Sequence, residues 1–197
     1  MQPVTSPRDF LFATWEGGGN VPPALTVAKK LVARGHRVRF MSDACDRPEA
    51  EAVGAEFVPW RQAPSRPDRT AASDVLRDWE ATSPQECIAR LFDRIMCGPA
   101  LAYARDVAAE IDRKGPDLIV SSEMLFGVMV AAEARGMRLA LLAANLSPYP
   151  LPGVPPFGAG LRPARSFCRC RLPQLCTSRA FHPRDWLRLV QSCDKKV

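Results

Sequence analysis

Phe10-Leu-Phe-Ala-Thr14 and the run that follows it, Trp15-Glu-Gly-Gly-Gly-Asn-Val-Pro-Pro23, decide how this chain folds. The first is a short apolar run bounded by charge and then glycine, the pattern of a fully buried parallel strand. After the second, Ala24, Val27, Ala28 and Leu31 fall at i, i+3, i+4 and i+7, one face of a helix. Pro22 and Pro23 suit the first helical turn, where no amide hydrogen is needed, and Gly35 is placed to end the helix as a left-handed cap. Gly17, Gly18 and Gly19 thus carry the chain from a strand end into a helix start. Backbone N–H groups there can approach a ligand at the positive end of the helix dipole, so a small-molecule site is expected at this turn.

Outward from it, His36 to Met41 alternates as a second strand. Asp46 is expected to cap a short helix stopped by Gly54, and Glu56-Phe-Val-Pro59 reads as a third strand. Such βαβ repeats close as a parallel, right-handed sheet. The proline-rich stretch Trp60 to Thr70 reads as a loop. Ala71 to Lys114 has a helical pattern in two or three pieces, with a helix start at Ser83-Pro-Gln-Glu86 and a break at Gly98-Pro99. A fourth strand (Asp117 to Ser121), an alanine-rich helix (Met124 to Arg135) and a fifth strand (Arg138 to Ala144, apolar enough for a central position) complete the pattern. The expected class is α/β, a Rossmann-like parallel sheet with helices on both faces.

Composition bounds the function. The 197 residues suffice for one core and a tail, with 47% hydrophobic and 24% charged residues as in ordinary globular proteins. No run approaches the roughly 18 apolar residues that span a bilayer, and the N-terminus lacks a signal-peptide layout. A cytoplasmic location and free thiols for the seven cysteines follow as expectations. The net charge of +6 is local: residues 161–197 carry nine basic and two acidic side chains, and residues 1–160 carry 18 and 19. The neutral body argues against a nucleic-acid partner or membrane insertion. The tail, 159–197, is expected to be irregular or frame-altered, since four cysteines and seven arginines crowd into it. Its Cys168, Cys170, Cys176 and His182 lack zinc-knuckle spacing, so no metal is assigned.

A dinucleotide reading would place Asp43, at the end of the second strand, on a ribose hydroxyl. The glycine fingerprint fails, however, because Pro22 stands where its third glycine belongs. That leaves an NAD(P)-dependent oxidoreductase as one alternative and a non-catalytic small-molecule-binding domain as another. His36, at a strand start, reads as structural.

Phe12-Ala-Thr-Trp-Glu-Gly-Gly-Gly-Asn-Val-Pro-Pro23 with Leu31-Val-Ala-Arg-Gly-His-Arg-Val38 resembles the N-terminal, acceptor-side domain of bacterial GT-B-fold glycosyltransferases. The nearest branch is the one resembling UDP-glycosyltransferases and acting on natural products. Gly115-Pro-Asp-Leu-Ile-Val-Ser-Ser122, Met124-Leu-Phe-Gly127 and Ala131-Ala-Glu-Ala-Arg-Gly136 match the same family further on, so the resemblance covers residues 9–158. It implies sugar transfer from a nucleotide-diphosphate sugar, held by a separate donor domain, to a hydroxyl of a small hydrophobic acceptor. No cofactor is implied in this lobe itself. With the donor domain missing, the chain is expected to be truncated and inactive alone.

The family's base histidine is replaced by Asn20, and its aspartate partner by Ser122. Asparagine orients but does not accept a proton. Glu16 and Glu123 are the remaining weak base candidates, provided burial raises a carboxyl pKa. The implied acceptor-binding set is Gly17, Gly18, Gly19, Asn20, Ser122 and Glu123. Trp79, Phe92 and Met96 are expected to line the acceptor pocket or to pack in the core.

Overall fold

A computed structural model describes residues 6–144. The proline-rich stretch 146–156 and the tail 159–197, with its cysteines and His182, lie outside the described residues. In chain order the elements are β1 (Asp9–Ala13), α1 (Val21–Val32), β2 (Arg37–Ser42), α2 (Arg47–Ala52), β3 (Glu56–Pro59), α3 (Pro84–Leu91), α4 (Ala100–Arg113), β4 (Leu118–Ser122), α5 (Phe126–Ala134) and β5 (Leu139–Leu142). The strands form one five-stranded sheet in the order β3-β2-β1-β4-β5, every pair parallel. Among the described residues no helix is long and apolar enough to cross a membrane.

Side-chain alternation along the strands builds two cores. Phe12, Val38 and Phe40 face α1 and α2 and pack with Val21, Ala24, Ala28 and Ala50. Phe12 and Phe40 stack across neighbouring strands with ring centroids 5.8 Å apart. The alternate residues, among them Leu11, Arg39 and Ile119, face the other side, where α4 and α5 pack on each other. Gly127 permits that second layer, since a Cβ on it would strike the Ala100 carbonyl of α4.

The helix boundaries follow the local chemistry. Gly35, Gly54 and Gly136 take positive φ where α1, α2 and α5 end. Ser83 caps α3 by accepting from the Glu86 N–H at 3.2 Å, and the Glu86 carboxylate accepts from the Thr82 N–H at 2.8 Å. Past α3 the chain widens into a π-type turn over Phe92–Met96 before Gly98-Pro99 resets it for α4.

Three expectations are corrected. β5 is apolar but lies at an edge of the described sheet, with Leu141 46% exposed; an unbroken apolar run marks a strand without fixing its place. Val27 is exposed on α1, because the helix turns Val21, Ala24 and Ala28 toward the sheet instead. The alternation in β2 does not expose Arg39, which is 1% exposed. Its guanidinium pairs with Asp9 Oδ1 at 3.0 Å and with Glu110, and donates to the Lys114 carbonyl at 2.7 Å. Arg39→Ala, which leaves Asp9 to the more exposed Lys114 and Arg37 and Glu110 to Arg113, is expected to destabilise the fold by about 1–3 kcal/mol in urea unfolding; Arg39→Met, which keeps the packing of the stem, is expected to recover only part of that loss.

Candidate functional site

The winding places the site. From β1 the chain steps outward through β2 to β3, then returns to the other side of β1 as β4. Loops leaving β1 and β4 therefore diverge, and open α/β sheets bind ligands in the crevice beyond such a switch point. A narrow cleft lies there, lined by Phe12, Thr14, Asn20, Ser121, Ser122 and Leu142 among others. The structure thus brings Asn20, at the head of α1, and Ser122, at the end of β4, to one cleft. Both side chains are buried. Asn20 holds the N-cap position of α1, yet its side chain makes no capping hydrogen bond.

Gly17, Gly18 and Gly19 are exposed beside this cleft. Their amides are not all bare, as the sequence had suggested. Gly18 donates to Glu16 Oε1 at 2.7 Å and Gly19 to the Gly17 carbonyl at 2.9 Å. Gly17 packs beneath Trp15, so that a Cβ there would meet the indole ring and the Asn20 amide. Gly18, with φ +76°, has open space at its Cβ, and its backbone conformation favours glycine.

The two base candidates separate. Glu123 is buried at the end of β4. Glu16 turns away from the cleft toward Arg69 Nε, at 3.2 Å. Burial alone would lift its carboxyl pKa, but hydrogen bonds from Asp46, the Gly18 amide and Arg69 hold it below the ordinary range. That is the reverse of what a base at neutral pH requires.

Behind the glycine turn stands a carboxylate cluster that motif reading did not find. Asp43 is buried and accepts the Glu16 amide at 2.7 Å and the Arg66 amide at 2.6 Å. Its lone pairs serve the protein's own backbone, which removes the ribose-binding role considered for it. Burial pushes its pKa up, against those two bonds. Asp46 was expected to cap α2 but makes no side-chain cap. It accepts instead from Ser42 Oγ at 2.6 Å and Arg69 Nη2 at 3.0 Å. Arg69 also pairs with Glu49, so one guanidinium gathers three carboxylates. Glu16, Cys45 and Asp46 each offer a ligand atom within 4.8 Å of one another. They do not suit a metal, since Arg69 already serves both carboxylates. Burial and the neighbouring carboxylates also push the Cys45 thiol up to about 12.

The 60–70 loop, without periodicity in sequence, is held from several sides. Asp106 of α4 accepts the amides of Arg61, Gln62 and Ala63 at 2.8, 2.9 and 3.1 Å. Trp60 Nε1 donates to the Thr14 carbonyl at 3.1 Å and its ring meets Tyr103 edge-on at 4.8 Å. A wider groove opens between this loop and the start of α4, lined by Gln62, Ser73, Asp74, Arg77, Asp93 and Arg94 among others. Trp79, Phe92 and Met96 do not line it: the first two are 54% and 45% exposed, and Met96 is core. His36 is structural, its Nδ1 accepting from the Arg8 amide at 3.2 Å and its ring against Phe10.

The cluster carries a pH signature. Burial, with the adjacent Glu16 and Asp43 carboxylates and against the Ser42 bond, pushes Asp46 up to about 7. The folded protein then binds a proton that the unfolded chain releases near pH 4, so stability declines as pH rises from about 4 through 7. The lowered carboxylates are ionised in both states over most of that window. Thermal melts at pH 5 and pH 8 are expected to show this decline, and Asp46→Asn, which keeps the neutral form, is expected to flatten it.

No family model matches the chain. It is 30% identical over 156 residues to the 4'-demethylrebeccamycin synthase of Lentzea aerocolonigenes, an alignment covering 79% of this chain and 37% of that protein. The chain thus spans little more than a third of the length of this curated relative. Among solved structures, the calicheamicin glycosyltransferase superposes with TM-score 0.53 and 23% identity, over 68% of this chain and 32% of its own. SnogD of Streptomyces nogalater, also a glycosyltransferase, superposes with TM-score 0.51 and 19% identity, over 71% and 34%. By sequence the chain is therefore similar to a 4'-demethylrebeccamycin synthase, and by fold it shares one Rossmann-like α/β lobe with solved glycosyltransferases.

Proposed function

We propose that residues 9–158 form the acceptor-side lobe of a glycosyltransferase, and that 159–197 lie outside that lobe. The reaction is transfer of a sugar from a nucleotide-diphosphate sugar to a hydroxyl of a hydrophobic small molecule, with a second lobe holding the donor. The observation that carries this reading is the meeting of Asn20 and Ser122 in one cleft at the switch point, in a chain whose sequence relative is a 4'-demethylrebeccamycin synthase. The free thiols of Cys45, Cys87 and Cys97 accord with a reducing, cytoplasmic setting.

In this reading the exposed turn Gly17 to Gly19 and the buried Asn20, Ser122 and Glu123 contact or shape the acceptor end of the crevice. Asn20 offers an amide donor and a carbonyl acceptor, which fix the direction of an acceptor hydroxyl without removing its proton. Positioning remains, and general-base assistance, worth about 10²–10⁴-fold where it operates, is lost at these two positions. The rest of the acceleration belongs to stabilisation of the departing nucleotide by the donor lobe. Alone, the lobe binds acceptor and transfers nothing.

The chain joined to the donor lobe of a related glycosyltransferase is expected to transfer sugar to an aromatic alcohol such as β-naphthol, followed by chromatography of the product. Restoring the dyad with Asn20→His and Ser122→Asp is expected to raise kcat by about 10²-fold. Acceptor binding without transfer in several folded fusions would instead favour a binding domain with no catalytic role.

A further inference from the structure

The cleft between the ends of β1 and β4 contains a polar group that neither the glycine turn nor the helix uses. Thr14, the residue after β1, lines it and is 2% exposed. Its main chain is engaged on both sides: the N–H donates to the Met41 carbonyl at 3.0 Å, and the carbonyl accepts from Trp60 Nε1 at 3.1 Å. Its side-chain Oγ1 is buried and has no hydrogen-bond partner among the described residues. A buried hydroxyl in that condition carries its full desolvation penalty, which valine, of the same shape, would not.

The surroundings are those of a hydroxyl site. Asn20, Ser121 and Ser122 supply donors and acceptors on the same walls, and Phe12, Ala24, Val120 and Leu142 make the remainder apolar. The cleft has room for about a single water-sized group, too little for a ring and enough for the polar end of one. Trp60, fastened to the Thr14 carbonyl, keeps this strand end in register with the 60–70 loop.

We propose that Thr14 is a further ligand-positioning residue, its hydroxyl exchanging a hydrogen bond with the alcohol oxygen of a hydrophobic small molecule whose apolar body lies outside the cleft. This rests on the acceptor-side reading above and adds to it a residue from the strand end, outside the glycine motif. No bond is made or broken at Thr14; it selects ligands that present a hydroxyl over those whose oxygen is blocked. A resident water has the same hydrogen-bonding chemistry as the alcohol oxygen, and the experiment distinguishes the two.

The test uses the full chain, as wild type, Thr14→Val and Thr14→Ser, with β-naphthol and its methyl ether as probes and affinity read by ligand-observed NMR. Wild type is expected to hold the alcohol about tenfold more tightly than the ether. Thr14→Val is expected to bind the two equally, with ether affinity unchanged, and Thr14→Ser to regain the preference. The ligand-free Thr14→Val protein is expected to melt at or above the wild-type temperature. A lower melting temperature for Thr14→Val assigns the hydroxyl to the fold or to a resident water and overturns the proposal. Equal binding of the two probes by wild type, or a preference that survives in Thr14→Val, overturns it as well. The transfer reaction is judged separately. Inactive fusions with the alcohol preference intact remove only the transfer, and a fusion whose kcat/KM is unmoved by Thr14→Val removes only the role of Thr14.

Discussion

The carboxylate of Asp43 takes the Glu16 amide on one side and the Arg66 amide on the other, and the carboxyl edge of the sheet is assembled around that buried group. It ties together two irregular segments with no ladder of their own, the glycine turn and the 60–70 loop, which Trp60 and Arg69 also join. Each buried N–H of an irregular segment needs an acceptor, and a carboxylate at a strand end supplies several at once. Asp106 repeats the device from α4, taking three successive amides of the same loop. Arg69 then closes the outside of the assembly over Glu16, Asp46 and Glu49. The charge of the cluster is largely internal, with the Arg69 guanidinium set against three carboxylates.

The elements with a strong period were legible in the sequence. β1, α1 and β3 stand close to where alternation, helical spacing and glycine placement put them, and the Ser83 cap was readable letter by letter. What escaped is of one kind. Arg39 reads as the polar half of an alternating strand, and Asp9, Glu110 and the Lys114 carbonyl, 30, 71 and 75 residues away, make its burial tolerable. Asp43 reads as a ribose ligand until Arg66, 23 residues on, is seen to take its oxygen. Asp46 looks like a cap and is instead one of the carboxylates around Arg69. Polar residues whose partners lie far along the chain leave no periodic trace, whereas apolar faces and turns do.

The site divides in the same way. That Asn20 and Ser122 would stand together came from motif resemblance, since nothing in local composition links positions a hundred residues apart. Thr14 carried no signal, being one more β-branched residue at a strand end. Glu16 carried a misleading one: next to glycines it resembles a free carboxylate, but the turn folds its amide back onto it and Arg69 fixes it from the other loop. An acid so well satisfied is a brace for the turn and a poor proton acceptor.

Strand order has a consequence for how such a lobe changes over time. The crevice exists because β1 is flanked by β2 and β4 and the chain departs from it in opposite senses; side chains decorate the opening but do not create it. A change of side chain at position 20 therefore alters the groups that line the opening and leaves its place untouched. A lineage can retire one chemistry, wait, and acquire another at the same spot, with the sheet indifferent throughout.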